Sequence, residues 1–392
     1  MPTSTCPACR AADAHVFHEL TGVPVNSCLL LTSREEAKSF PRGDLVLVFC
    51  QTCGFIWNSA FDPKMAEYSG RYEETQGYSP RFVAFARDLA ARWVDRYKLH
   101  ERDILEIGCG KGEFLQYLCE MGPNRGVGID PSYDPDRMDS DAANRMRFIR
   151  DFYGERYADL TGDAVVCRHT LEHIPAVGDF LAMVRRSIGD RRETAVLFEL
   201  PDVFRVLQEI AFWDLYYEHC SYFTLGSLTR LFRSSGFEPL HVSVEFDNQY
   251  LVMEAKPDGG SGQASFVEEE DLEATGKAVD HFENQYLATV ARWRSEVVEG
   301  KAAGRRTVIW GAGSKGVAYL TTLGIEDEVR FAVDINPHKH GMFMAGTGHE
   351  IVAPEFLRTY RPDEVIVMNP VYVPEIEANL RALSVDAVVR AV

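Results

Sequence analysis

The chain has 392 residues, with 41 Lys and Arg against 59 Asp and Glu, for a net charge of −18. That length predicts two or three domains of ~150 residues each. A surface this acidic repels a phosphate backbone, and the only basic clusters are short pairs such as Arg185-Arg186 and Arg305-Arg306, so no nucleic-acid partner is expected. No apolar run approaches the ~20 residues that cross a bilayer, and no basic region precedes an apolar stretch after Met1, so no membrane partner and a cytoplasmic location are expected.

Residues 1–75 carry Cys6-Pro-Ala-Cys9 and Cys50-Gln-Thr-Cys53-Gly54. Each pair has the spacing that turns two thiolates toward one tetrahedral ion. Four sulfurs with no open position make a structural zinc site the expectation, with Cys6, Cys9, Cys50 and Cys53 as ligands. The competing reading is two unrelated pairs or a redox dithiol. Leu45–Phe49 reads as a strand feeding the second pair. The 40-residue gap between the pairs predicts an insertion.

Residues 76–256 alternate apolar strand-like runs with helical patterns, as in an α/β sheet of mainly parallel strands. A helical period from Phe82 to Tyr97 is followed by a strand at Ile104–Ile107. The turn Gly108-Cys-Gly-Lys-Gly112 then opens a helix over Glu113–Met121, and a second strand, Gly126–Ile129, ends at Asp130. Further strands are expected at 146–149, 163–167 and 195–200. A linker, 257–270, contains Pro257-Asp-Gly-Gly-Ser-Gly. The last segment, 271–392, opens with a long helical pattern and a second α/β unit beginning at Arg306–Gly311.

The two glycine-rich turns differ. Glu106-Ile-Gly108-Cys-Gly110-Lys-Gly112 has G-x-G-x-G spacing and resembles the first motif of class I S-adenosylmethionine methyltransferases, in which the turn packs against the amino-acid end of the cofactor. In that resemblance Glu106, Gly108, Gly110 and Gly112 form the turn, Asp130 accepts from the ribose hydroxyls, and Asp151 contacts the adenine. Val308-Ile-Trp-Gly311-Ala-Gly313-Ser-Lys-Gly316 is a true G-x-G-x-x-G with Asp334 about 20 positions on, the fingerprint of dinucleotide binding. Alone it would suggest an NAD(P)-dependent oxidoreductase. The short segment lacks an obvious acid/base beyond His338, His340 and His349, so an anion-binding or packing role is the stronger expectation.

Two clusters carry candidate chemistry, His169-Thr-Leu-Glu-His173-Ile-Pro175 and Trp213-Asp-Leu-Tyr216-Tyr-Glu218-His219-Cys-Ser-Tyr222-Phe223. An imidazole beside a carboxylate and phenols suits carbon-acid deprotonation. The bland alternative is a satisfied helix-end histidine among core aromatics. Taken in order, the two cysteine pairs, the G-x-G-x-G turn, the Leu-Glu-His-Ile turn, Tyr-x-Glu-His-x-x-Tyr-Phe and the C-terminal Gly-Ala-Gly-x-Lys-Gly…Val-Asp-x-Asn-Pro-x-Lys resemble the nucleotide-sugar C-methyltransferases along essentially the whole chain. The resemblance implies an α/β fold: a class I, Rossmann-like methyltransferase domain flanked by an N-terminal zinc-binding module and a smaller C-terminal Rossmann-like domain. It implies structural zinc, S-adenosylmethionine and a small-molecule substrate, a nucleotide-linked keto-sugar.

Carried over residue by residue, His219 is the base, Tyr216 and Glu218 polarise the ketone or orient the imidazole, and His173 lines the sugar pocket. Tyr72, Tyr78, His169, Tyr222 and Lys315 are the substrate contacts. Two departures stand out. Tyr217 occupies a position where a second His is frequent. In the stretch Tyr68–Tyr78, Glu73-Glu74 replaces a Ser/Thr-rich turn, and two carboxylates beside a diphosphate are unfavourable unless they point away. An O-methyltransferase acting on a glycan or small-molecule hydroxyl is the alternative reading.

Overall fold

A computed structural model describes residues 5–66, 71–137, 140–259 and 270–392. Most of the expected linker, residues 260–269, and Tyr68 lie outside the described residues.

The central sheet has seven strands in the order Phe237–Glu245, Tyr250–Pro257, Ala195–Pro201, Ala164–Arg168, Asp103–Ile107, Arg125–Ile129 and Met146–Ile149. The last five are mutually parallel, and Tyr250–Pro257 runs antiparallel between its neighbours. This is the Rossmann-like class I methyltransferase fold. The antiparallel hairpin at one end is an addition to the strands read from sequence. The inner strands are apolar on both faces, as strands covered by helices must be. The helix Pro80–Tyr97 starts where Ser79 Oγ accepts from the amide of Phe82 and Pro80 takes the first turn. It buries Phe82, Ala86, Leu89, Ala90, Trp93 and Val94.

A second, all-parallel sheet of five strands follows: Glu350–Val352, Val329–Val333, Thr307–Trp310, Glu364–Val367 and Val388–Ala391. In each sheet the strand before the glycine-rich turn is central, with neighbours on both sides that come later in the chain. Each turn therefore sits at the point where strand order reverses, which is where open α/β sheets bind ligands. The two turns face one shared cavity.

The N-terminal segment forms a four-stranded sheet, and this explains the long gap between the cysteine pairs. Ala14–Pro24 and Arg42–Cys50 pair antiparallel around the short helix Arg34–Lys38, and Ile56–Asn58 adds a third strand. The fourth strand, Ser221–Tyr222, comes from the distant tyrosine- and histidine-rich cluster. The long helix Leu272–Ala302 buries Val279, Phe282, Tyr286 and Trp293. Those side chains join one apolar cluster with Phe17 and Leu45 of the first sheet, Phe212 and Trp213 of the middle segment, and Ile309 and Tyr319 of the last. His18 packs edge-on against Tyr286, with ring centroids 4.3 Å apart. The three parts share a core.

Candidate active site

The cysteines converge. Cys6 Sγ lies 3.7 Å from Cys53 Sγ and Cys9 Sγ lies 3.6 Å from Cys50 Sγ, with all four sulfurs within 4.8 Å of one another. A tetrahedral ion with ~2.3 Å bonds to sulfur separates its ligands by ~3.8 Å, so the residues fit a structural zinc ion. Each knuckle closes on a left-handed residue, Arg10 at φ 66° and Gly54 at φ 76°, and Gly54 N donates to Cys50 O at 2.9 Å.

A cavity of about 520 Å3 runs between the two sheets. At one end lies the G-x-G-x-G turn. Gly108 has φ +70°, and a Cβ there would collide with the Thr170 side chain. Only glycine fits both constraints. Asp130, at the end of the next strand, accepts from Gly110 N at 2.9 Å and from Ser132 N and Oγ at 2.7 Å, shaping the rim of the turn. Glu106 lies beneath the turn with Oε2 buried and, among the described residues, without a hydrogen-bond partner, and burial pushes its carboxyl up to about 8. Such a site, with open glycines and an acid lacking a partner, fits a cationic cofactor with a bulky amino-acid end. Asp151 also lines the cavity, but its Oδ2 already accepts from Tyr157 OH at 2.6 Å and pairs with Arg156 at 2.8 Å. Any contact it makes with an adenine has to share that carboxylate. Gly112 serves as the left-handed cap of the following helix and does not face the cavity.

At the other end, two polar networks meet. His169 sits in a left-handed conformation at φ 47°, which is costly for a residue with a Cβ and is held by its surroundings. Its Nδ1 is 3.7 Å from Glu172 Oε1 and its Nε2 is 3.4 Å from Glu199 Oε1, while Arg168 pairs with the other Glu199 oxygen. Burial opposes a charge on His169, but the carboxylates of Glu199 and Glu172 outweigh it and lift the imidazole to about 9. Burial also works against the Glu172 carboxylate, yet His169 and the neighbouring imidazoles keep it ionised. Glu172, His173 and His219 bring ligand atoms within 4.8 Å of one another. Burial, then the adjacent His173, lowers His219 to about 3, so its imidazole is neutral at physiological pH. Among the described residues it has no hydrogen-bond partner; its ring stands edge-on to His173 at 4.8 Å and to Tyr216 at 4.6 Å.

The second network centres on Asp214. It accepts from Tyr216 OH at 2.8 Å and Arg205 Nη2 at 2.6 Å, and pairs with Lys315, which crosses over from the C-terminal unit. Burial opposes its ionisation, yet Lys315 and Arg205 together hold the Asp214 carboxyl far below its ordinary range.

Tyr72, Tyr78, His169, His173, Tyr216, His219, Tyr222 and Lys315 all line the cavity. Glu218 does not. Its Oε1 accepts from Ser27 N at 2.9 Å and from Ser27 Oγ, turning the carboxylate toward the N-terminal segment. The group of Glu218 that touches an imidazole is its backbone carbonyl, 2.9 Å from His173 Nδ1. This corrects the expectation that the Glu218 carboxylate orients His219; the carboxylate beside that ring belongs to Glu172. Sequence reading also passed over Asp214, Arg205 and Glu199. Asp214 lay inside the quoted cluster, but its importance depends on two cations that approach only in the fold. Glu73 does not line the cavity, its carboxylate pairing with Arg137 at 2.9 Å and accepting from Asn336 Nδ2 at 2.8 Å, whereas Glu74 does line it.

The C-terminal fingerprint is internally spent. Asp334 Oδ2 accepts from Ala312 N at 3.0 Å and pairs with Lys339 at 3.3 Å, and Oδ1 accepts from Asn336 N at 2.9 Å. The acid that would hold a ribose in a dinucleotide site instead braces the turn, as an anion-binding or packing role requires.

The methyltransferase domain model matches residues 81–242, and the C-methyltransferase C-terminal domain model matches residues 256–387. The C-methyltransferase NovU of Streptomyces niveus is 27% identical over 368 residues, spanning 89% of this chain and 86% of that protein. Two solved structures overlap the middle part. One is the Burkholderia thailandensis 1,6-didemethyltoxoflavin-N1-methyltransferase with bound S-adenosylhomocysteine (19% identical, 44% of this chain and 78% of that one, TM-score 0.34). The other is the magnesium protoporphyrin IX methyltransferase of Synechocystis PCC 6803 (17%, 45% and 84%, TM-score 0.33). The two domain models, one on each α/β unit, and the 27% match to NovU make the chain similar to the C-methyltransferases, and it is an S-adenosylmethionine-dependent methyltransferase.

Proposed function

We propose that this enzyme methylates the carbon beside the ketone of a nucleotide-linked keto-sugar, with His219 as the base. The observation that carries the reading is one continuous cavity. It joins the glycine turn at Gly108–Gly110 to a neutral imidazole without a hydrogen-bond partner among the described residues, His219, and then to the C-terminal turn around Gly313–Lys315. S-adenosylmethionine, when bound at the first turn, supplies an electrophilic methyl group on a cationic sulfur.

His219 removes the proton from the sugar carbon next to the ketone, and the C–H electron pair moves toward the carbonyl oxygen as an enediolate. Burial makes His219 a weak base in the free enzyme. Glu172 and Asp214 both favour its protonated form, and the negative charge developing on the sugar raises its basicity at the moment of transfer. Lys315, whose ammonium keeps protons beyond the one given to Asp214, presents polar hydrogens where that oxygen charge grows, and Tyr216, whose own proton goes to Asp214, packs edge-on against the His219 ring. Glu172 lies close enough to steady the imidazole. The bound donor would supply the methyl group for the new carbon–carbon bond and leave as its thioether, and the protein's contribution is alignment. At the far end of the cavity, Lys339 and the N-terminal end of the helix Ser314–Leu323, which has no side-chain cap, suit the diphosphate. NovU, a C-methyltransferase by name, supports carbon as the accepting atom.

The test is turnover of a panel of nucleoside diphosphate keto-deoxysugars in deuterated water. One carbon-bound proton of the acceptor should wash out and a C-methyl product form. His219→Ala should lose both while keeping its affinity for S-adenosylhomocysteine. An O-methylated product with no carbon–hydrogen exchange overturns the reading.

A further inference from the structure

Residues 72–79 form a strap across the glycine turn, and their polar groups are tied down at nearly every step. Tyr72 O accepts from Lys111 Nζ at 2.8 Å. Glu73 holds Arg137 and Asn336. Thr75 Oγ1 donates to Glu113 Oε2 at 2.6 Å, Gln76 Oε1 accepts from Tyr372 OH at 2.8 Å, and Ser79 Oγ donates to Glu375 Oε2 at 2.9 Å.

Glu74 is the exception. Its side chain turns inward, and Oε1 stands 2.7 Å from the point a Cβ on Gly110 would occupy. Its Oε2 is buried without a hydrogen-bond partner among the described residues. A buried carboxylate without a partner is costly unless a cation or proton meets it. The charged and titratable groups that face it are Lys111, Asp130 and Glu73, with the Cys28 and Cys109 thiols nearby. Lys111 is the one cation among these, and its ammonium is already spent on the carbonyls of Tyr72 and Ser132, at 2.8 and 2.9 Å. Among the described residues no protein cation is left for it, so a ligand lying on Gly110 is positioned to be that partner in place of a proton.

We infer that Glu74 is the counter-ion for the α-ammonium group of the methyl donor. The inference rests on the donor lying along the glycine turn. The donor's two cationic centres differ in kind: the sulfonium has no proton to donate, whereas the ammonium has three. A carboxylate against the middle glycine of a turn that receives the amino-acid end fits the ammonium. The protonation state agrees: burial pushes Glu74 up to about 8, so the free enzyme holds a proton there near pH 7. An incoming ammonium favours the ionised form and expels that proton. Because the strap is bonded to Asn336, Tyr372 and Glu375 of the C-terminal unit, the same contact ties donor loading to the far wall of the cavity.

The experiment is titration calorimetry of the full chain at pH 7 in buffers of different ionisation enthalpy. The two probes are S-adenosylhomocysteine, which keeps the α-ammonium, and 5′-methylthioadenosine, which lacks the whole amino-acid end. The wild type should release about one proton with the first and none with the second. Glu74→Gln should weaken S-adenosylhomocysteine roughly tenfold or more, abolish the proton release, and leave 5′-methylthioadenosine within about twofold. Retained binding of the second probe reports an intact fold. Glu74→Asp, shorter but still acidic, should fall between. Equal weakening of both probes, or no weakening of either, overturns the proposal. So does proton release that survives Glu74→Gln and vanishes in Glu106→Gln, which would hand the ammonium to Glu106. A wild type that binds neither probe would instead overturn the placement of the donor itself.

Discussion

Asp214→Asn tests the polar network under the reaction end of the cavity. The substitution keeps shape and removes one negative charge, leaving Lys315 and Arg205 buried around a neutral amide. Removing one partner of a buried ion pair costs about 3–5 kcal/mol, because the orphaned charge stays desolvated. Lys315 retains some solvent contact, its side chain being 23% exposed, so about 3 kcal/mol is the working figure. Unfolding entropy of ~2.1 cal/mol/K per residue across 392 residues converts this to a fall in Tm of about 4 °C. The pH dependence has a definite sign. Asp214 is depressed in the folded protein, so its contribution is fully present above the unfolded carboxyl value of about 4 and is lost only as pH falls toward the folded one. The gap in Tm should be constant from pH 6 to 8 and narrow in acid. Adding Lys315→Met to Asp214→Asn should recover at least about 1 kcal/mol, since the orphaned cation is then gone. Methyl transfer should fall about 100-fold in the single variant as Tyr216 loses its anchor. Thermal scans of wild type, Asp214→Asn, Lys315→Met and the double variant decide the matter: strictly additive losses, or an Asp214→Asn protein as stable as wild type, would refute the network.

Three further outcomes are expected. Chelation, or Cys6→Ser, should lose zinc and fold stability together, and should also depress methyl transfer, because the strand Ser221–Tyr222 beside His219 is paired to the N-terminal sheet; metal-free protein with full activity would break that link. His169→Gln should lower Tm near neutral pH by a margin that shrinks as pH rises from about 6.5 to 9 and is gone above it. The imidazole is raised to about 9 in the folded protein, so its stabilisation is complete below the unfolded value of ~6.5 and fades through the folded one; a margin that does not change with pH would place the effect in packing. Gly108→Ala should weaken S-adenosylhomocysteine more than tenfold, since its Cβ meets Thr170 in a left-handed backbone, as calorimetry would read directly.

Local chemistry was legible because it is written at short spacing. Two thiolates three positions apart, three alternating glycines after an apolar strand, and an acid closing the next strand each need only a few neighbours in the chain. The two glycine-rich turns therefore appear at the expected strand ends, and the helices Pro80–Tyr97 and Glu113–Met121 lie within two residues of their periodic patterns. The histidines and tyrosines of the two polar clusters likewise reach the cavity, except Tyr217, whose hydroxyl accepts from Asp62 N.

What the residues face was decided by tertiary structure. Glu218 and Glu172 are both glutamates followed by histidine, and nothing local distinguishes them. Ser27, 191 positions away, claims the first, and His169 with the neighbouring imidazoles keeps the second ionised beside His219. Asp334 reads as a ribose acid until Ala312, Asn336 and Lys339 occupy its oxygens. Asp214 matters only because Lys315, 101 positions away, is brought against it. Spacing along the chain fixes which groups share a turn or a helix face. The energy of a buried charge depends on every group within a few ångströms, and that neighbourhood exists only once the three parts pack on their common core.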